Sequence, residues 1–197
     1  MRFLNILEYP DIKLRIKAKP LSPNEIPENI TLIKDLAYTM YKADGVGLAA
    51  TQVGEGKRII VIDISRKTDK DKNFSPDFFL DEGNILNANK GLIVAINPEI
   101  ISKEGHIVYE EGCLSIPKFN ADIERASEIK VKALDLSGKE VIIEAQGLLG
   151  IVFQHEIDHL DGILFIDKAS PLKRSLYNAA LKKSRVKKPE KDASYTS

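Results

Sequence analysis

Gly147-Leu148-Leu149-Gly150-Ile151-Val152-Phe153-Gln154-His155-Glu156-Ile157-Asp158-His159-Leu160-Asp161-Gly162 decides the fold of this chain. Leu148, Leu149, Ile151, Val152, Leu160 and two histidines cover most of a helix bracketed by Gly147 and Gly162. A helix with so little polar face must be buried on nearly all sides. His155 and His159 stand one turn apart on one helix face, with Glu156 directly after the first. That spacing lets two imidazoles hold one divalent metal while Glu156 handles protons beside it. Unpaired, two histidines and a glutamate inside an apolar helix would each need a partner, and a divalent cation answers all three needs.

Outward from this helix the elements alternate. Before it, Ile129, Val131 and Ala133 alternate with Lys130 and Lys132, and Ser137-Gly138 leads into Val141-Ile142-Ile143, a hairpin with one wet face. Ile107-Val108-Tyr109 reads as a short strand entering a cysteine loop, and Arg58-Ile59-Ile60-Val61-Ile62-Asp63-Ile64 as a buried strand. Further upstream, Pro20 to Pro27 punctuate a loop, after which Ile30, Ile33, Leu36, Ala37, Met40 and Tyr41 recur at helical spacing. Gly45 to Gln52 is then expected to be a glycine-rich loop between packed elements. After the histidine helix, Pro171, Leu172, Leu176, Ala179, Ala180 and Leu181 predict a terminal helix with a frayed polar tail. The expected fold is α+β: antiparallel or mixed β-sheets packed around a buried central helix carrying the histidines, with an N-terminal amphipathic helix and a C-terminal helix. Residues 1–168 are expected to form one catalytic domain, with a polar surface insertion at 66–90, and residues 169–197 a basic helix and tail.

The 197 residues can bury a core without disulfides or a structural metal, so a metal here can be catalytic. The formal net charge is zero, which argues against a general DNA-binding or membrane-surface role. One cysteine cannot form an internal disulfide, and the first ten residues do not resemble a secretory signal, so a reducing cytoplasm is the expected location.

A catalytic site needs three protein ligands and one open position. Cys113, in Glu110-Glu111-Gly112-Cys113-Leu114-Ser115, is the best third candidate: the adjacent glutamates make it a poor free nucleophile, whereas a metal would deprotonate it regardless. His106 is the rival, among Lys103, Glu104 and Gly105, where a solvated turn is expected.

Three blocks in order, Gly45-Val46-Gly47-Leu48-Ala49-Ala50-Thr51-Gln52, Glu111-Gly112-Cys113-Leu114-Ser115 and Gln154-His155-Glu156-Ile157-Asp158-His159, resemble the three motifs of the peptide deformylases. The resemblance extends through Arg58 to Asp63, Asn97-Pro98, Lys130 to Asp135 and Leu164 to Asp167. It implies a hydrolase that removes the N-formyl group from N-formylmethionine on nascent polypeptides during protein biosynthesis. Cys113, His155 and His159 would hold the metal, and hydroxide generated there would attack the formyl carbon. Glu156 would act first as base and then as acid, while Gln52 and the backbone N–H of Leu114 stabilise the oxyanion. Gly45, Val46, Gly47, Tyr109, Glu111, Gly112, Leu148 and Ile151 would contact the substrate, whose backbone approaches the glycines as an added strand. Asp158, Asp161 and Gln154 are alternative candidates for partners of the imidazoles, and sequence does not say which one serves. The resemblance points to one Fe2+ per chain, with Zn2+ as the alternative and Co2+ or Ni2+ as substitutes. Asn120 stands where several relatives have arginine near the pocket rim.

Two other readings stay open on sequence grounds. One is a zinc endopeptidase using His155, Glu156 and His159 with Asp167 as third ligand. The other is a catalytically silent peptide- or metal-binding homologue, which intact Glu156 and Gln52 argue against. Lys168, Lys173, Arg174, Lys182, Lys183, Arg185, Lys187 and Lys188 accumulate before Glu190. They form either a solvated basic surface or a contact with ribosomal RNA.

Overall fold

Ile59–Ile62 forms strand β2, and all four side chains are fully buried, as a strand covered on both faces requires. It pairs antiparallel with the longer β3 (Ile93–Glu104), Ile60 opposite Ala95 and Val61 opposite Val94. The computed structural model describes residues 1–65 and 91–186; the expected insertion at 66–90 and the tail beyond 186 lie outside the described residues. β1 (Gly47–Ala49) pairs with β2, and β6 (Glu128–Leu134) and β7 (Glu140–Gln146) extend the sheet beyond β3. The result is a five-stranded antiparallel sheet in the order β1-β2-β3-β6-β7. β4 (Ile107–Cys113) and β5 (Ile116–Arg125) form a separate antiparallel pair.

The alternation of β2 divides the core between two helices. Ile59 and Val61 pack with Ile33, Leu36 and Met40 of α1 (Ile26–Lys42). Ile60 and Ile62 face the opposite way, onto Val152, Phe153, Ile157 and Leu160 of α2 (Gly147–Leu160). Each fully buried aliphatic side chain contributes about 1.5–3 kcal/mol. A third apolar cluster, made by Ile116, Phe119 and Ile123 of β5 with Leu164, Phe165 and Ile166, touches α2 through the Phe165 ring against His155. Phe165 and Ile166 lie in the short helix α3 (Phe165–Lys168), followed by α4 (Pro171–Val186). The fold is the expected α+β arrangement of antiparallel sheets and helices.

Two segments differ from the sequence expectation. Gly45 to Gln52 is not all loop: Gly47–Ala49 pairs with β2, and Ala50–Val53 winds one 3-10 turn. Strand pairing wins because β2 would otherwise leave its edge amides exposed. Cys113 ends a strand instead of lying in a loop, because β4 continues from Ile107 through the cysteine against β5.

The N-terminal segment crosses the front of this assembly. Leu4 N–H donates to Thr39 Oγ1 at 2.9 Å, Leu7 N–H to the Gln52 carbonyl at 2.8 Å, and Tyr9 N–H to the Ser115 carbonyl at 2.8 Å. It thus ties α1, the 3-10 turn and the β4–β5 connection together.

Candidate metal centre and peptide cleft

α2 presents His155 and His159 toward the end of β4, and there Cys113 meets them. Cys113 Sγ lies 3.2 Å from His159 Nε2, which lies 3.2 Å from His155 Nε2. All three ligand atoms fall within 4.8 Å of one another. Metal bonds of about 2.0–2.3 Å in a tetrahedron give ligand edges of about 3.3–3.5 Å, close to the two short spacings. Glu111 Oε2 takes the Nδ1–H of His155 at 2.7 Å, which leaves Nε2 turned toward the sulfur and His159.

The charges agree with this geometry. Burial works against a charged His155, but Cys113 and Glu111 outweigh it and draw its titration well above the ordinary range. The positive charge favoured at that ring is what a cation supplies. His159 is pushed the other way, mainly by burial and then by His155, and so is held neutral with a lone pair to give. The residues therefore fit a divalent metal held by one thiolate and two imidazoles.

Glu111 is itself buried and bonded to Arg125 through both oxygens, at 2.6 and 2.9 Å. Burial alone would raise its pKa, but the bonds from Arg125 and His155 reverse this and lower it to about 2. Arg125 continues to Asp158, which also receives Lys168. This arrangement corrects the expected partners of the imidazoles. Asp158 turns to Arg125 and Lys168, Asp161 to Arg58 at 2.7 Å, and Gln154 to the backbone of Ala126. None of the three is bonded to His155 or His159; Glu111, from the end of β4, holds His155 instead.

Glu156 stands beside the ligands on the other flank, against β1. A Cβ on Gly47 would come within 2.4 Å of Glu156 Oε1, so any side chain there would have to displace the carboxylate. Burial pushes the pKa of Glu156 up to about 7, and Glu111 adds to the rise while His155 opposes it. Glu156 Oε2 and His159 Nδ1 are buried without a hydrogen-bond partner among the described residues. An orphaned carboxylate oxygen beside three converging ligand atoms marks a place for a reacting polar group. Gln52 is buried and fixed by the Ala49 N–H on its Oε1, and its Nε2 points to Ser115 Oγ at 3.2 Å and to Cys113 Sγ at 3.6 Å.

These groups open onto a cleft of 480 Å³. Its wall includes every residue that the sequence nominated for substrate contact: Gly45, Val46, Gly47, Tyr109, Glu111, Gly112, Leu148 and Ile151, with Gln52 and Leu114 beside them. Of these, Glu111 has its carboxylate spent on Arg125 and His155. Sequence reasoning left out Val152, on the apolar side of the cleft, and Arg125. The helical periodicity of α2 carried a signal for Val152, one turn before Glu156; nothing local marked Arg125. His106 lies away from the centre, paired with Glu124 at 3.1 Å on the surface. Asp167, the ligand an endopeptidase would need, is bonded to Arg15 and to the Leu164 N–H.

Residues 3–175 match the family model described as polypeptide deformylase. The chain is 48% identical to the peptide deformylase of Thermodesulfovibrio yellowstonii over 92% of this chain and 98% of that one. It is 45% identical to peptide deformylase 2 of Xanthomonas axonopodis pv. citri, covering 94% and 98% of the two chains. The crystal structure of a peptide deformylase from Legionella pneumophila superposes with a TM-score of 0.75 at 41% identity, covering 95% of this chain and all of that one, 100%.

Proposed function

We propose that this chain, which belongs to the polypeptide deformylase family, hydrolyses the N-formyl group from the N-terminal methionine of newly made polypeptides and releases formate. The observation that carries this reading is the convergence of Cys113, His155 and His159 beside Glu156, whose buried Oε2 has no hydrogen-bond partner among the described residues, on a cleft of 480 Å³. Cys113 Sγ, His155 Nε2 and His159 Nε2 would hold a divalent cation, which supplies Lewis acidity and makes water nucleophilic near neutral pH. The donor set suits Fe2+, the ion we favour, and equally admits Zn2+, Co2+ or Ni2+.

The remaining chemistry belongs to the protein. Glu156, with a pKa near 7, takes the proton of the attacking water and returns it to the amine nitrogen as the formyl C–N bond breaks. Formate and a free α-amine leave. Gln52 Nε2 and the Leu114 N–H donate to the formyl oxygen as it gains charge. Glu111 keeps His155 in the tautomer that offers Nε2 to the cation. The peptide lies extended along Gly45 to Gly47, and its methionine side chain enters the apolar wall formed by Val46, Tyr109, Leu148 and Ile151. Val152 extends that wall toward Glu156.

A substrate of this kind would be met where nascent chains emerge, in the bacterial cytoplasm. Among the described residues no helix is long and apolar enough to cross a membrane. The lysines of α4 would give a salt-sensitive contact with ribosomal RNA. The test of the reaction is product identity: an N-formyl-methionyl peptide should yield formate and one intact peptide with a free N-terminus. Cleavage at an internal peptide bond would overturn the reading.

A further inference from the structure

Cys113 is weakly held by its own strand. The β4–β5 pairing shifts register between Glu111 and Cys113, so the ladder is interrupted beside the ligand. A two-stranded sheet has little stability of its own, and packing from elsewhere must fix the sulfur. That packing comes from Leu164, Phe165 and Ile166, and the partly buried Tyr177 of α4 closes it from outside. The Tyr177 hydroxyl donates to the Pro117 carbonyl at 3.0 Å, at the start of β5. Its ring lies 4.8 Å from Phe119, Phe119 lies 5.4 Å from Phe165, and Phe165 lies 5.6 Å from the ring of His155. Beside it, Asn178 accepts the Tyr9 hydroxyl at 3.1 Å, and Tyr9 N–H holds the Ser115 carbonyl. Tyr177 and Cys113 both pack on the same apolar cluster, whereas Leu172 and Leu176 of the same helix face solvent.

We propose that Tyr177 is a positioning residue of the metal centre, and that the functional unit therefore extends into α4 beyond residue 168. It fixes the turn from Cys113 to Pro117 directly and the His155 ring through Phe119 and Phe165. A ligand set is only as well aimed as the residues behind it, and groups that orient ligands typically govern metal affinity by about 10–100-fold. The inference rests on the metal reading given above.

The test uses the full chain loaded with cobalt(II), whose thiolate-to-metal absorption reports Cys113. Tyr177→Ala should weaken cobalt retention against a chelator by about tenfold and shift that band. Tyr177→Phe, which keeps the ring packing, should fall between it and the unsubstituted chain. A thermal melt of the metal-free proteins separates positioning from general support: a lowered melting temperature with unchanged band and retention in both variants would overturn the inference alone. Absence of a thiolate band from the unsubstituted chain would overturn the metal reading and this inference with it.

Discussion

Glu111 and His155 share a 2.7 Å hydrogen bond between Oε2 and Nδ1, and Arg125 holds the same carboxylate from behind. A buried strand residue thus sets the tautomer of a helix residue. Glu111→Gln keeps the shape but removes the charge that both partners need. It should weaken metal binding by about 10–100-fold in a chelator competition. Glu111→Ala goes further and strands Arg125 beside Asp158, at a cost of roughly 3–5 kcal/mol in a denaturant melt.

The same carboxylate predicts an acid limit. Its pKa is about 2 in the fold against an ordinary value of 4.5, so it is depressed on folding. Its contribution is fully present above pH 4.5 and is lost as pH falls toward 2. In the metal-free protein, stability should decline through that window, and less so in Glu111→Gln.

Glu156 has the opposite sign. Its pKa is raised from 4.5 to about 7, so relative to the unfolded chain its folded-state contribution is present below pH 4.5 and is lost as pH rises to 7. Glu156→Gln should therefore be more stable than the unsubstituted metal-free chain above pH 7, and the two should converge in acid. The variant should keep its metal and lose on the order of 100-fold or more in turnover; near-normal turnover would remove the proton-transfer role.

Gly47→Ala tests the approach of β1 to the carboxylate. The added Cβ would meet Glu156 Oε1 at 2.4 Å and Val152 Cγ1 at 2.8 Å, an overpacking that typically costs about 1–3 kcal/mol. Turnover should fall with metal content unchanged, since neither contact is to a ligand atom.

Charge reversal at Lys182 and Lys183, both exposed, tests the ribosome contact without disturbing Tyr177 or Asn178. Salt-sensitive cosedimentation with ribosomes should weaken while turnover of short formylated peptides is unchanged. Undiminished binding would assign these lysines to a solvated surface.

What the sequence revealed follows the range of each interaction. The histidine helix and the β6–β7 hairpin are written in local periodicity, 3.6 in one and 2 in the other, and both form where that periodicity places them. The α1 stripe is legible for the same reason. The role of Glu111 is not, because its partners lie 44 and 14 residues away. Reading Ile107 to Cys113 as one strand gives the missing clue: alternation sends Glu110 outward and Glu111 inward, as their exposed and buried states show. Asp158 and Asp161 suggested themselves by proximity in sequence, yet each turns to an arginine from a different strand or loop.

The central claim is tested most directly by formate release from an N-formyl-methionyl peptide, using protein prepared without oxygen and the N-acetyl peptide in parallel. Rapid release from the formyl peptide alone is the predicted result. No release from protein shown to carry its metal would contradict the account.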